Sequence, residues 1–231
     1  MARVLTHETS LGKQLRSLER EGSWLPRLAA VECGIGGLLL IAGVVVRLWT
    51  PSTALLWIGG VLLFLGLAHR LRRREAAQET GRLRAGRSGE LGVTRSLRDT
   101  LPDTCYILND LNLKAANRRA QIDHLVVTPW GLFVLETKNW AGRVTGDNHA
   151  ERWLQEKQRD GRTVKLKVGN PIRQNARHVD VLRTFLASHG VHWDDVHSLI
   201  VFPPKTLCDI EEPEADILTT RSVAEYIANH P

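Results

Sequence analysis

Two apolar runs constrain this chain more than any other feature. Residues 28–46 read LAAVECGIGGLLLIAGVVV, with Glu32 as the one charge, and residues 51–69 read PSTALLWIGGVLLFLGLAH, without Asp, Glu, Lys or Arg. Each approaches the roughly 20 residues a helix needs to cross a bilayer core. Neither shows the polar face of an amphipathic surface helix. With a short turn from Arg47 to Thr53 they predict a transmembrane hairpin, its first run bracketed by Trp24 and Trp49, as interfacial aromatics would be. The first run starts too far into the chain for a cleaved signal peptide. Arg16, Arg20 and Arg27 precede the first run, Arg70, Arg72, Arg73 and Arg74 follow the second, and the loop offers Arg47. That asymmetry predicts a multi-pass protein of the plasma (inner) membrane with both termini cytosolic and the lipid bilayer as a partner. Glu32 sits where it could reach the headgroups.

Composition adds exclusions. In 231 residues, 43% are hydrophobic and 24% charged, the balance of a folded protein rather than a disordered or collagenous one. Three scattered cysteines, none in a CxxC pair, exclude a disulfide framework and argue against a structural zinc site. The formal net charge of +6 is unevenly spread. Residues 70–98 carry 9 basic and 3 acidic side chains, which suits topology and anionic lipid. Residues 114–183 carry 14 basic and 7 acidic, whereas 184–231 carry 2 and 8. A basic central block can face a polyanion, or be a solvated surface.

The pattern divides the chain into a cytosolic segment (1–27), the hairpin (28–69), a basic connector (70–87) and one α/β domain (88–231). Gly81, Gly86, Gly89 and Gly92 argue against a single long helix after the hairpin. Ser88 can cap a helix through Val93, Leu97 and Leu101. Strands are expected at 105–113, 121–128 and 132–138, with further short ones at 143–145, 152–155 and 163–168. Asn170-Pro171 opens a helix whose apolar residues run from Ile172 to Leu186, with Gly190 ending the run. A buried strand at 197–202, a weaker one at 215–218 and a short terminal helix follow.

Chemistry concentrates around the second and third of these strands. Thr128-Pro129-Trp130-Gly131 has the preferred composition of a type I turn. A hairpin closed there sets Val127 opposite Leu132, and therefore Asp123 opposite Glu136. Lys138 then shares a face with both carboxylates. Carboxylates this close repel unless a proton or a cation lies between them. An oxygen-rich pair suits Mg²⁺ or Mn²⁺, and Lys138 would stand beside a bound water, the arrangement for metal-assisted phosphodiester hydrolysis. The same three residues could form a cross-strand ion pair on a solvated face. The apolar flanks, Leu125 to Val127 and Leu132 to Leu135, favour buried strands in which unpaired charge is costly.

These residues carry a resemblance. Gly89-Glu90-Leu91-Gly92-Val93, Asn109-Asp110-Leu111, Gln121-Ile122-Asp123-His124, residues 131–140 (GLFVLETKNW), Gly142 and residues 170–175 (NPIRQN) together resemble the nuclease-related domain family over about residues 86–205. That family is placed in the PD-(D/E)xK nuclease superfamily. The resemblance implies a restriction-endonuclease-like core, a central mixed sheet flanked by helices. It matches Asp123, Glu136 and Lys138 to the catalytic and metal-binding signature, Glu90 to an acidic residue of the first helix that joins the metal site, and Gln174 to a polar residue on the helix after the sheet.

Arg173 and Arg177, one helical turn apart, are candidate phosphate contacts, or simply a solvated face. Glu90 falls in the first turn of its expected helix, where a carboxylate is favoured in any case. His124 points to the face opposite Asp123 and is expected to be packed, as are Trp140 and Trp153 against a stacking role. Walker loops, GxSxG elbows and HExxH pairs are absent from the sequence. The reading is a membrane-anchored, Mg²⁺- or Mn²⁺-dependent nuclease acting on nucleic acid, DNA ahead of RNA. The alternative is a non-catalytic module on the same fold that binds nucleic acid or recruits protein.

Overall fold

The computed structural model describes residues 1–5, 10–22, 25–47 and 54–230. The chain forms two compact units, residues 11–84 and residues 1–10 with 85–231.

The smaller unit is helical. It holds most of α1 (Ser10–Gly22), all of α2 (Leu25–Arg47) and the first part of α3 (Ala54–Thr100). Small residues let α2 and α3 approach closely: a Cβ on Gly36 would lie 2.8 Å from the Leu63 amide nitrogen, so a larger residue there would force the helices apart. Glu32 binds His69 Nδ1 at 2.6 Å, and Glu19 binds Arg84 at 2.7 Å.

The membrane reading is corrected here. Among the described residues, no helix is long and apolar enough to cross a membrane. The apolar part of α3 gives way within the same helix to His69, Arg70, Arg72, Arg73 and Arg74, and α2 carries Glu32 paired to His69 rather than directed at headgroups. The transmembrane hairpin (28–46 and 51–69), the bilayer partner and the multi-pass inner-membrane placement with cytosolic termini therefore lose their support. The turn from residue 48 to 53 and both bracketing tryptophans, Trp24 and Trp49, lie outside the described residues. The expected flexible connector is also replaced: α3 runs unbroken through residues 70–87 and past Ser88. Each helical Gly costs about 1 kcal/mol, but the Arg, Leu, Ala, Glu and Gln around them are good helix formers and no proline interrupts them.

The larger unit is the α/β domain. A six-stranded mixed sheet has the order β1-β2-β3-β4-β8-β10, with β1 Arg3–Val4, β2 Tyr106–Ala115, β3 Arg118–Thr128, β4 Gly131–Thr137, β8 Val196–Phe202 and β10 Asp216–Thr219. A four-stranded sheet has the order β7-β6-β5-β9, with β5 Gly142–Gly146, β6 Arg152–Arg159, β7 Arg162–Gly169 and β9 Thr206–Ile210. Helices α4 (Pro171–Ser188) and α5 (Val223–Ala228) complete the domain.

Side-chain alternation on β4 explains the layering. Phe133 and Leu135 pack with Val93, Leu97 and Leu101 of α3 and with Val223, Ala224 and Ile227 of α5. Leu132 and Val134 pack against Val179 and Leu182 of α4. A third cluster joins Trp153 and Val144 of the smaller sheet to Ile172, Ile200 and Phe202. A strand covered on both faces reads as a continuous apolar run, as β4 does.

Candidate active site

The hairpin register expected from the 128–131 turn is present: Thr128 pairs with Gly131, Val127 with Leu132 and His124 with Leu135. The same register would next oppose Asp123 and Glu136. There the ladder gives way to a side chain, and Asp123 Oδ2 accepts the Thr137 amide at 2.8 Å. On the other side of β3 the β2 ladder pairs Asn109 with His124 and Leu111 with Ile122, passing over Asp110 and Asp123. Asp110 adopts φ +51, a left-handed conformation Asp tolerates better than most residues. The two central strands thus come apart where the acids lie.

Glu136, at the end of β4, is 1% exposed. Its Oε1 accepts from Lys138 Nζ at 2.6 Å, and the same ammonium donates to Gln174 Oε1 at 3.1 Å. Lys138 is held in register because its backbone amide bonds Val201 O at 2.9 Å. Gln174 is held because α4 is fastened at two points. The buried Asn170 side chain accepts the amides of Ile172 and Arg173 and donates to the carbonyls of Asp147, Asn148 and Ala150. The buried Asn175 donates to Val134 O and Ser198 Oγ, tying α4 to β4 and β8.

Glu90 reaches the same site from α3. Close passage of that helix places it: a Cβ on Gly89 would lie 3.0 Å from the Asn139 Cβ, and Asn139 itself donates to Ala85 O. Burial pushes the Glu90 carboxyl up to about 8, with Asp123, Asp110 and Glu136 adding to the rise and Arg87 opposing it. Asp123 is raised mainly by burial, against the Thr137 amide and Lys138, which favour its ionised form. Glu136 is raised by burial and then by Asp123, against Lys138. These carboxyls depend on one another electrostatically and carry more negative charge than the site readily holds.

The structure joins Glu136, Lys138 and Gln174 by direct contact and sets Asp123 and Glu90 within electrostatic reach of them. Arg173 and Arg177 lie exposed on α4, Arg173 donating to His149 O at 2.8 Å. His124 is buried and bonds Asn109 Oδ1 at 2.7 Å, which holds it as a packed histidine. Trp153 lies in the core, and Trp140 is half-buried against Phe202.

Two contributors were missed. Asp110 binds the Ser10 amide and hydroxyl and the Gln121 side chain, and its charge raises both Asp123 and Glu90. His178 Nδ1 lies 3.4 Å from Glu136 Oε2, and neither atom has a hydrogen-bond partner. Burial, Lys138 and Arg177 lower His178 to about 4, so at neutral pH it brings no charge to Glu136. Its position four residues after Gln174 on one helix face was the available signal.

The donor set fits a hard divalent cation. Among the described residues, no three of His, Cys, Asp and Glu stand ready around one ion. Mg²⁺, however, is commonly held by one or two carboxylates with waters and substrate phosphate. Asp123 and Glu136 supply two carboxylates, and Glu136 Oε2 is a buried acceptor without a partner.

Residues 85–203, just over half the chain, match the nuclease-related domain (NERD). An uncharacterised protein of Bacillus anthracis is 35% identical over 98 residues, 42% of this chain and 44% of that protein. The chain thus matches less than half the length of this curated relative. The crystal structure of protein VC1899 from Vibrio cholerae aligns with 96% of this chain and 55% of its own at 12% identity, with a TM-score of 0.31, too distant to bear on the site.

Proposed function

Because the chain belongs to the nuclease-related domain family, we propose that it is a metal-dependent nuclease that hydrolyses phosphodiester bonds of nucleic acid, DNA ahead of RNA. The observation that carries this reading is the contact chain Glu136–Lys138–Gln174 set beside Asp123 and Glu90 in a buried, charge-strained site. Its family context favours hydrolysis over passive binding.

Asp123 and Glu136 are the residues to hold Mg²⁺ or Mn²⁺, with Glu90 in support. Bound there, the ion would supply Lewis-acid polarisation of the phosphate and acidify a water. Lys138 Nζ, fixed between Glu136 and Gln174, donates to the attacking water oxygen and favours its deprotonated form. Attack at phosphorus breaks one P–O bond and leaves a phosphomonoester and a hydroxyl. Asp123 is aimed by the Thr137 amide, which donates to its Oδ2. Gln174 keeps Lys138 in place. Arg173 and Arg177 contribute positive charge for the phosphate backbone.

The test is cleavage of labelled single- and double-stranded DNA and RNA by the full chain, Lys138→Met and Asp123→Asn. Loss of a catalytic group of this kind costs on the order of 100-fold or more in rate. Wild-type rates in either variant would refute the assignment. Unfolding midpoints near wild type show that the loss is chemical.

A further inference from the structure

A cavity of about 430 Å³ opens at the start of α4, between that helix and the base of the β6–β7 hairpin. Its walls include Glu151, Arg152, Asn170, Arg173, Gln174 and Arg177. The volume falls in the range of small-molecule sites, larger than a single ion requires. Three guanidiniums face it and one carboxylate.

The guanidiniums are the attraction, not the helix end. Asn170 already accepts the amides of Ile172 and Arg173, so those donors are occupied. Arg173 is fixed by its bond to His149 O. Among the described residues, the guanidiniums of Arg152 and Arg177 make no hydrogen bond or ion pair, and Glu151 pairs with none of the three arginines. Guanidinium groups bind phosphate bidentately and suffer less in desolvation than an ammonium. Gln174 belongs both to this wall and to the Lys138 contact, so the cavity adjoins the reaction centre. The positive charge continues along the hairpin. Lys167 pairs with Leu154, two residues on from Arg152, and so lies on the Arg152 face of the hairpin.

We propose that this cavity is a phosphate subsite that holds a backbone phosphate of the nucleic-acid strand next to the bond being cut, gripped by Arg152 and Arg177 with Arg173 as the fixed third donor. It deepens the nuclease reading and rests on it for the identity of the strand. Arg152, which sequence spacing did not single out, becomes the strand-positioning residue contributed by the β6–β7 hairpin.

The test measures binding of fluorescent oligonucleotides to the full chain in chelator, by anisotropy across a salt series. The proteins are wild type, Arg152→Ala/Arg177→Ala, each single variant, and Arg183→Ala as a control further along α4. Each phosphate contact contributes about 0.7–0.9 to the slope of log affinity against log salt. The double variant is expected to lose about 1.4–1.8 from the slope and each single variant about half that, with Arg183→Ala unchanged. A wild-type slope in the folded double variant overturns the proposal. A closed circular strand and a 5′-phosphorylated linear strand separate the two sources of phosphate: loss on both places an internal diester in the cavity, loss on the linear strand alone a terminal phosphate. A parallel Mg²⁺ cleavage assay separates the two failures. No cleavage with a reduced slope in the double variant sinks the nuclease reading and keeps the subsite; cleavage with an unchanged slope does the reverse.

Discussion

Replacing Glu136 with Gln is expected to stabilise the protein at alkaline pH while abolishing its chemistry. The carboxyl is 1% exposed and raised by burial and by Asp123. Its folded value lies above its unfolded value, so the native state keeps a proton that the unfolded chain releases as pH rises. Stability attributable to this group is full in acid and falls as pH climbs from the ordinary carboxylate range through the raised value. Each tenfold change in proton affinity is about 1.4 kcal/mol. A rise from the carboxylate range to about 7 therefore costs about 3 kcal/mol above the raised value. Gln mimics the protonated carboxyl in shape and still offers Lys138 an acceptor. Glu136→Gln should match wild type at about pH 4 and exceed it by about 3 kcal/mol at about pH 8. Urea unfolding in chelator reads this as a midpoint difference of roughly 1.5 M at an m-value of about 2 kcal/mol/M. Equal destabilisation at both pH values would show that Glu136 is a structural ion-pair partner of Lys138 and refute the reasoning.

Three further outcomes follow from the same geometry. Mn²⁺ at ten times its dissociation constant at about pH 8 should add about 1.4 kcal/mol of stability there, and the same concentration less at about pH 5.5, because protons compete for the raised carboxyls; thermal scans of wild type and Asp123→Asn check it, and an equal response in both would contradict it. Asn170→Ala removes the α4 cap and the two N–H donors shared among the Asp147, Asn148 and Ala150 carbonyls, and should cost about 2–4 kcal/mol in urea unfolding. Asp110→Asn should lower the Glu90 carboxyl from about 8, since Asp110 is one of the charges that raise it; a carbon-detected NMR titration of Glu90 decides the point.

Much of the candidate cluster was legible because it follows from short-range rules. Pro129 and Gly131 set a tight turn, the turn sets the register, and the register places Asp123 toward Glu136 and Lys138. Asn170-Pro171 announced the start of α4 and thereby the position of Gln174. What stayed hidden depends on distant chain. The two-residue strand β1 is too short to show a period and forms by pairing with β2 across about a hundred residues. Strand β9 carries Leu207 at 60% exposed, so it lacks the apolar alternation of a half-buried strand. The left-handed backbone at Asp110 has no local sequence signature, yet it opens the ladder beside Asp123. Glycines at 81, 86, 89 and 92 suggested a broken connector where α3 continues, because the good helix formers between them and the packing of Val93, Leu97 and Leu101 at its end together outweigh the glycine cost. The apolar runs at 28–46 and 51–69 were read by composition, and among the described residues no helix reaches the length and apolarity of a membrane span.

The most direct measurement of the central claim is cleavage of labelled DNA and RNA by the wild-type chain in Mg²⁺ or Mn²⁺, against the same reaction in chelator. The account predicts phosphodiester cleavage with the ion, abolished by chelator and restored when the ion is returned. Cleavage that persists undiminished in chelator, or a folded chain that binds nucleic acid and cuts none of the substrates with either ion, would contradict it.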